Sequence, residues 1–376
     1  MLKAKLLVMK IFEKIYGYRD MFLSSLRETK ITTNHSIKNK YDYVGDFIGG
    51  LARVELNDKY GFIDINGKEV IPCKYDYNTG FDDGLAKVEI NDKWGFVNKA
   101  GIEVIPCKYD NAKCFYDGLS LVQLNDKYGY IDKTGREVIP LIYDNAYSFS
   151  DKLATVQLNG KYGFIDKTGR VVIPFKYDWA YDFFDGLARV CFNEKYGYID
   201  KTGREVIPIK YDCIGYFKGG LARITINGKM GFIDKTGREI HPCKYDWVDE
   251  FNDGLAKVAL NHKYGYIDKI GNEICPCKYD YITAFSDGLA KVKIYDKWGF
   301  VDITGKEIIP CIFEYANYVD KIFHIKINGK YGCVNQLGDI IVPCIYDRMP
   351  FLKDDKIKMA NDDVSVIYNL DGEIIF

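Results

Sequence analysis

The chain has 376 residues, with 52 Lys plus Arg against 53 Asp plus Glu, four His and 47% apolar residues. So even a mixture of charges sets up no global field for nucleic acid or an anionic membrane, which excludes a general polyanion binder. No apolar run approaches the roughly 18 residues of a membrane span, so the composition is that of a soluble globular chain.

Residues 1–39 read as an N-terminal amphipathic helix and linker. Leu2, Leu6, Met9, Phe12, Ile15, Tyr16, Phe22, Leu23 and Leu26 form a broad helical stripe interleaved with Lys and Glu. The stripe is expected to cap the array that follows and cover an unpaired edge. The alternative is contact with a membrane surface or a partner, since Lys3, Lys5, Lys10 and Lys14 suit anionic lipid. Lys3, Lys5, Lys10 and Glu13 also break any apolar core of a secretory signal. With eleven Cys, an odd number, this points to reduced thiols in a cytoplasm.

From residue 40 to 376 the chain repeats itself. Gly61, Gly95, Gly129, Gly163, Gly197, Gly231, Gly265 and Gly299 are spaced by 34 residues, and Gly332 follows one residue early. A lysine stands two positions before each glycine, from Lys59 to Lys330, and the residue between is Tyr or Trp except at Met230. The deletion in the ninth unit is placed in a loop around Phe313 to Asp320. A tenth, degenerate copy runs to Phe376, with Val366 at the glycine position. Most of the 35 glycines fall in three columns and nearly all of the ten prolines in a fourth, which two packed helices per unit could not tolerate. The unit is therefore β-rich.

In the first unit Ala52, Val54 and Leu56 alternate with Arg53 and Glu55, as in a half-buried strand. Asn57-Asp58 turns it back, and Asn159-Gly160, Asn227-Gly228 and Asn328-Gly329 at the same place are dipeptides that accept positive φ in a two-residue hairpin. Lys59 to Asp64 is the second strand. Asp64-Ile65-Asn66-Gly67 is a type I turn with a glycine bulge, and a short third strand is expected to stop at Pro72. The connector beginning Cys73-Lys74-Tyr75-Asp76 carries recurrent aromatics expected to pack on the neighbouring unit, and its Asp is read as a cap for one helical turn. Three such short strands are too small to be stable alone, so stability must come from stacked neighbours.

The pattern Gly-Leu-Ala-Lys-Val-x-x-x-x-Lys-Trp-Gly-Phe-Val, at Gly84 to Val97 and Gly288 to Val301, with the Gly and Ile-Pro that follow it, resembles the WG repeat, also called the KWG repeat. The resemblance covers roughly Tyr41 to Phe376, although only Trp94 and Trp298 put tryptophan at the naming position. It implies a bacterial β-repeat interaction module and supplies no catalytic residues. We therefore expect an all-β repeat protein, an open β-solenoid-like array of about ten 34-residue, three-stranded units. The alternative is a β-propeller, disfavoured because its blades normally hold four strands and number four to eight.

No constellation for catalysis emerges, so no enzyme activity, catalytic residue, metal or cofactor is expected. His35, His241, His262 and His324 occupy unrelated repeat positions, and His241 reads as a tolerated substitution in an apolar column. Cys275-Pro276-Cys277 lacks a second pair and shares its column with Leu141, Phe175 and Ile209, so its thiols read as structural. Asp82-Asp83, Asp182 with Asp185, and Asp354-Asp355 lack the spacing of a calcium loop. The repeated lysines are expected to pair with a nearby Asp or Glu and to lay their stems over the adjacent aromatic.

What remains is aromatic surface, from 31 Tyr and 22 Phe, most of which should be core. Specificity is expected where units differ, in the four residues after each Tyr-Asp, and the candidate binding residues are Tyr77, Tyr147, Trp179, Tyr181, Trp247 and Tyr281. The function so read is a non-enzymatic binding or scaffold protein for a protein or peptide. A glycan-binding repeat protein is the alternative, and an enzyme with an unrecognised groove site a third.

Overall fold

The computed structural model describes residues 40–361 and 365–375. The amphipathic helix read from residues 1–39 lies outside the described residues. Among the described residues every regular element is a β-strand. The chain divides into two compact units, residues 1–193 with 199–204 and residues 194–198 with 205–376.

In the first unit, β1 (Tyr43–Ile48), β2 (Leu51–Leu56), β3 (Lys59–Asp64) and β4 (Glu69–Tyr75) form an antiparallel meander in chain order. β5 (Tyr77–Asp82), β6 (Leu85–Ile90), β7 (Lys93–Asn98) and β8 (Glu103–Tyr109) repeat it. So do β9 (Asn111–Ala112), β10 (Leu119–Leu124), β11 (Lys127–Asp132) and β12 (Glu137–Tyr143). A fourth sheet runs from Asn145–Ala146 to Val171–Tyr177. The β2–β3 hairpin closes with Asn57 and Asp58 at φ 52° and 57°, the geometry that matches strand twist. The β3–β4 turn is held by the Asp64 carboxylate, which accepts the Asn66 and Lys68 N–H groups at 2.9 Å.

Two features differ from the sequence reading. The third strand of the motif does not stop at Pro72 but runs on to Tyr75. The register passes from Phe62↔Ile71 to Tyr60↔Tyr75, so Pro72, Cys73 and Lys74 bulge opposite Gly61. A proline is harmless there because the bulge asks no ladder bond of it. The connector, in turn, supplies a further strand. Its residues pair with the next hairpin, as in Tyr77↔Glu89 and Asn78↔Val88, so a full repeat has four strands rather than three.

Adjacent sheets stack on apolar faces. Phe62, Ile71 and Tyr75 of the first sheet pack with Ala86, Val88 and Val97 of the second, and Phe96, Ile105 and Tyr109 pack with Val122 and Ile131 of the third. Each fully buried Val, Ile or Phe is worth about 1.5–3 kcal/mol over its exposed state, so no sheet is stable without its neighbour. Polar ties fasten the same junctions. Asp76 is paired with Lys59 and accepts the N–H of Asn91, in the next hairpin turn, at 2.8 Å. It therefore caps a β-turn of the following repeat and not a helical turn. Glu103 accepts from Lys74 and from the Tyr75 hydroxyl, both at 2.7 Å.

The second unit repeats this architecture in four-stranded sheets beginning at Cys213–Ile214, Trp247–Val248, Tyr281–Ile282 and Tyr315–Val319, then one three-stranded sheet. The deletion in the ninth repeat falls in a strand rather than a loop. Tyr315–Val319 pairs with Ile322–Lys326 without a register shift, whereas β5 bulges between Asn78 and Phe81. The missing residue has straightened a bulge. The last sheet holds Phe351–Lys353, Lys356–Ala360 and Ser365–Tyr368, with Val366 opposite Met359 in the place where Gly332 faces Ile325.

Candidate binding surface

The short first strand of a repeat positions the candidate residues. In Trp179–Ala180, Trp247–Val248 and Tyr281–Ile282 the two residues point to opposite sides. Ala180, Val248 and Ile282 are buried against the preceding sheet. Trp179 and Trp247 are each 41% exposed, Tyr77 is 42% exposed and Tyr281 is 46% exposed. In sister repeats the same exposed position holds Asn111, Asn145 and Cys213, so the strand does not require a ring.

Three patches result. Tyr77 lies edge-on between Tyr60 and Trp94, at 6.4 and 5.7 Å between ring centres, with the Arg53 guanidinium 4.3 Å from Tyr60 and 5.4 Å from Tyr77. Further along the first unit, Trp179 is 5.0 Å from Tyr162 and 6.2 Å from Tyr181, and Tyr181 is covered by Arg189 at 3.9 Å. Tyr147 joins this patch half-buried: its backbone carbonyl accepts the Tyr130 hydroxyl at 2.5 Å, and its own hydroxyl accepts from the Asn145 side chain at 3.4 Å. In the second unit Tyr281 and Trp298 are 5.9 Å apart, with Lys257 and Lys291 over Tyr264 and Trp298 at 4.6 and 4.2 Å. Trp247 pairs with Ala259 one repeat before and is not brought into that ring row.

The cations were missed by the sequence reading. The alternation Ala52-Arg53-Val54 and its equivalents place one basic residue on the face that carries Tyr60 or Trp94, a signal visible once the two strands are registered. Burial against the rings pushes the Lys87, Lys257 and Lys291 ammonium groups below the usual lysine range. The lysine column next to the motif glycine behaves otherwise. Lys93, Lys127 and Lys263 pair with Asp110, Asp144 and Asp280, so the expected carboxylate partner is present while the rings are covered by a different column of cations.

The remaining candidates resolve locally. Cys275 packs with Tyr279, Ile282 and Val292, whereas Cys277 packs with Phe232 and Val258 at the preceding junction, so the two thiols serve different clusters. His241 is buried and its Nε2 lies 2.7 Å from the Asp268 carbonyl. Burial holds the His324 imidazole below the usual histidine range. Asp83, Asp354 and Asp355 are turn residues at φ 49°, 51° and 55°. Among the described residues no three His, Cys, Asp or Glu side chains converge as a metal site, and no helix is long and apolar enough to cross a membrane.

Sheets of this kind, repeated and stacked with open edges, define an all-β repeat protein. The model of the WG containing repeat matches ten consecutive segments, from 37–60 through 331–362. The chain belongs to the WG-repeat family. No curated protein matches it. Among solved structures, one described as a eukaryotic initiation factor is 11% identical over 76% of this chain and 93% of its own, at a TM-score of 0.31. Kluyveromyces lactis Hsv2 is 9% identical over 64% of this chain and 92% of its own, at 0.28. PorZ, described as a surface component of the type-IX secretion system of Porphyromonas gingivalis, is 11% identical over 85% of this chain and 50% of its own, at 0.26.

Proposed function

We propose that the chain is a non-enzymatic binding or scaffold protein that engages a protein or peptide through the exposed aromatics of its short first strands. One observation supports this reading: the fold accepts Asn111, Asn145 and Cys213 at the position where Tyr77, Trp179, Trp247 and Tyr281 stand more than 40% exposed. A large ring half in water, at a site where the strand needs none, is the composition of an interface anchor. The flanking cations suit acidic or aromatic groups on the partner. A reducing cytoplasm suits eleven cysteines with no disulfide, and the proposed activity needs neither metal nor cofactor.

Peptide-display selection against the intact chain, run beside a glycan array, tests the reading. Selected peptides should lose about tenfold or more in affinity when Trp179 and Tyr77 are replaced by Ala, the scale of a buried aromatic anchor. Glycan binding abolished by the same substitutions would replace the protein partner with a carbohydrate. Equal binding by wild type and variants would place recognition elsewhere.

A further inference from the structure

Two cation columns recur in most repeats, although Ile65 and Ile303 interrupt one and Leu121 and Thr155 the other, and several of these cations have a fixed partner. The turn lysines Lys133 and Lys167 pair with Asp83 and Asp117, and Lys201 lies 3.5 Å from Asp151. The second-strand cations stack on the motif aromatic, as Arg53 does on Tyr60 and Lys291 on Trp298.

The repeat that begins at Cys213 breaks both arrangements at once. Gly219 occupies the place of the aspartate, and the Lys269 ammonium lies 3.2 Å from where a Cβ at Gly219 would be. Met230 occupies the place of the ring, so Arg223, exposed on the paired strand, has no aromatic face there. Gly215 stands where sister repeats carry Lys113, Tyr147, Tyr181, Asp249 or Thr283. Gly215 and Gly219 line a cavity of about 460 Å³ here, with Arg223 and Lys269 beside walls of Leu221, Phe232 and Phe251. That is a usual volume for a small-molecule site, roughly 300–1,000 Å³.

Charge selects the ligand. Lys218 and Glu250 on the rim neutralise each other as an ion pair at 2.5 Å. Arg223 and Lys269 share the rest of the lining with one carboxylate, Asp249, which accepts the Glu250 N–H at 2.9 Å and also interacts with Lys257 outside the cavity. One positive charge is left over, beside apolar walls. We propose that this cavity binds a carboxylate carried on an apolar or aromatic body, either a free organic acid or the C-terminal residue of a peptide. Lys269 and Arg223 hold the carboxylate, and Phe232 and Phe251 receive the body. The inference is independent of the aromatic surface above, since its test touches none of those residues.

Titration calorimetry on the full chain tests it with phenylacetate and N-acetyl-alanyl-phenylalanine, each against its neutral amide. At least one acid should bind with one-to-one stoichiometry and its amide about tenfold or more weakly, as for loss of a charge-assisted hydrogen bond. Binding of phenylacetate alone identifies a free acid, and binding of the peptide acid alone a chain terminus. Gly219→Asp should weaken binding to a similar degree without lowering the melting temperature. The new carboxylate would pair with Lys269, and aspartate already occupies the equivalent conformation at Asp117 and Asp151, φ 50° and 53°. Met230→Tyr, which returns a ring to Arg223, provides a second closure. Failure of both acids to bind, equal binding of the amides, or full affinity in both closure variants would overturn the proposal.

Discussion

Gly163→Val should be severely destabilising, and the reason lies in the strand beside it. Gly163 stands in the strand Lys161–Ile165, opposite the bulged edge strand Val171–Tyr177. A Cβ at this position would lie 2.7 Å from the Ile173 carbonyl oxygen, 2.9 Å from Cδ1 of Phe175 and 3.0 Å from the Phe175 nitrogen. Close carbon–oxygen contacts in sheets lie near 3.3–3.6 Å, so even alanine requires the backbones to part by about 0.6 Å, and valine adds two methyl groups. Parting loosens the pairs Tyr162↔Tyr177 and Phe164↔Ile173. About two ladder bonds at ~1 kcal/mol each, plus ~1–3 kcal/mol of overpacking, give roughly 3–5 kcal/mol. Gly80 is the control, because a Cβ there meets nothing within 4 Å and its φ is ordinary. Gly80→Ala should stay within about 0.5 kcal/mol of wild type. Urea titration of the full chain measures both, with hydrogen exchange over residues 161–177 to detect local opening of one repeat. A Gly163→Val protein within about 1 kcal/mol of the Gly80→Ala protein would refute the steric argument. The molecule contains its own precedent. Val366 holds the equivalent position in the three-stranded last sheet, where an isolated bridge from Tyr368 to Ile374 stands in place of a fourth strand among the described residues.

Acid should loosen the junctions together. Hydrogen bonds from Lys93, Lys127 and Lys263 and from the next hairpin hold the carboxyls of Asp110, Asp144 and Asp280 below the usual range. Their stabilisation is therefore complete above the unfolded value near ~3.9 and is lost as pH falls through the lower folded values. Melting temperature should fall below about pH 4, less steeply in an Asp110→Asn, Asp144→Asn double variant, and a flat profile would contradict the role of these ties. Burial pushes the Cys275 and Cys277 thiols up to about 11 and Cys333 up to about 12, whereas Cys114 and Cys213 are exposed. Iodoacetamide on the folded chain should thus label Cys114 and Cys213 first, and mass spectrometry showing Cys275 labelled as fast would be inconsistent with its packing. Trp179→Ala and Trp247→Ala should each cost less stability than Gly163→Val in thermal melts. If they unfold as readily, the first strands are core and carry no recognition.

The repeat period, the hairpins and the turns were legible because each is written in residues with a narrow backbone range: Asn57-Asp58 at positive φ and Gly67 closing the Asp64 turn. The fourth strand was not. A two-residue strand such as Asn111–Ala112 is too short to show alternation, and only its pairing with Val122 and Gln123 defines it. Pro72 misled for a related reason, since a proline marks the end of a strand unless a bulge excuses its missing N–H, and the bulge is visible only in the register with Gly61. The aromatic candidates were found from column variability, but their grouping was not. Tyr162 meets Trp179 across 17 residues of chain, and Arg189 reaches Tyr181 across a hairpin. The closed lysine–aspartate pairing was legible as chemistry and illegible as address.

The ties that join repeats and the variable exposed column occupy different places in the same repeat, and this separation follows from where the ties run. Each tie joins neighbours: Lys244 and Tyr245 to Glu273, then Lys278 and Tyr279 to Glu307. Even the substitution of Glu314 for the usual aspartate keeps the tie, since its carboxylate accepts the Asn328 and Gly329 N–H groups at 3.1 Å and lies 3.9 Å from Lys297. The exposed position of the first strand has no such obligation. It changes from Tyr77 to Asn111 to Trp179 to Cys213 while the buried residue after it stays within Asn78, Ala112, Ala180 and Ile214. In a nearest-neighbour array a change confined to one exposed column leaves the interfaces on either side intact. A change in that column therefore leaves the packing that holds the repeat intact.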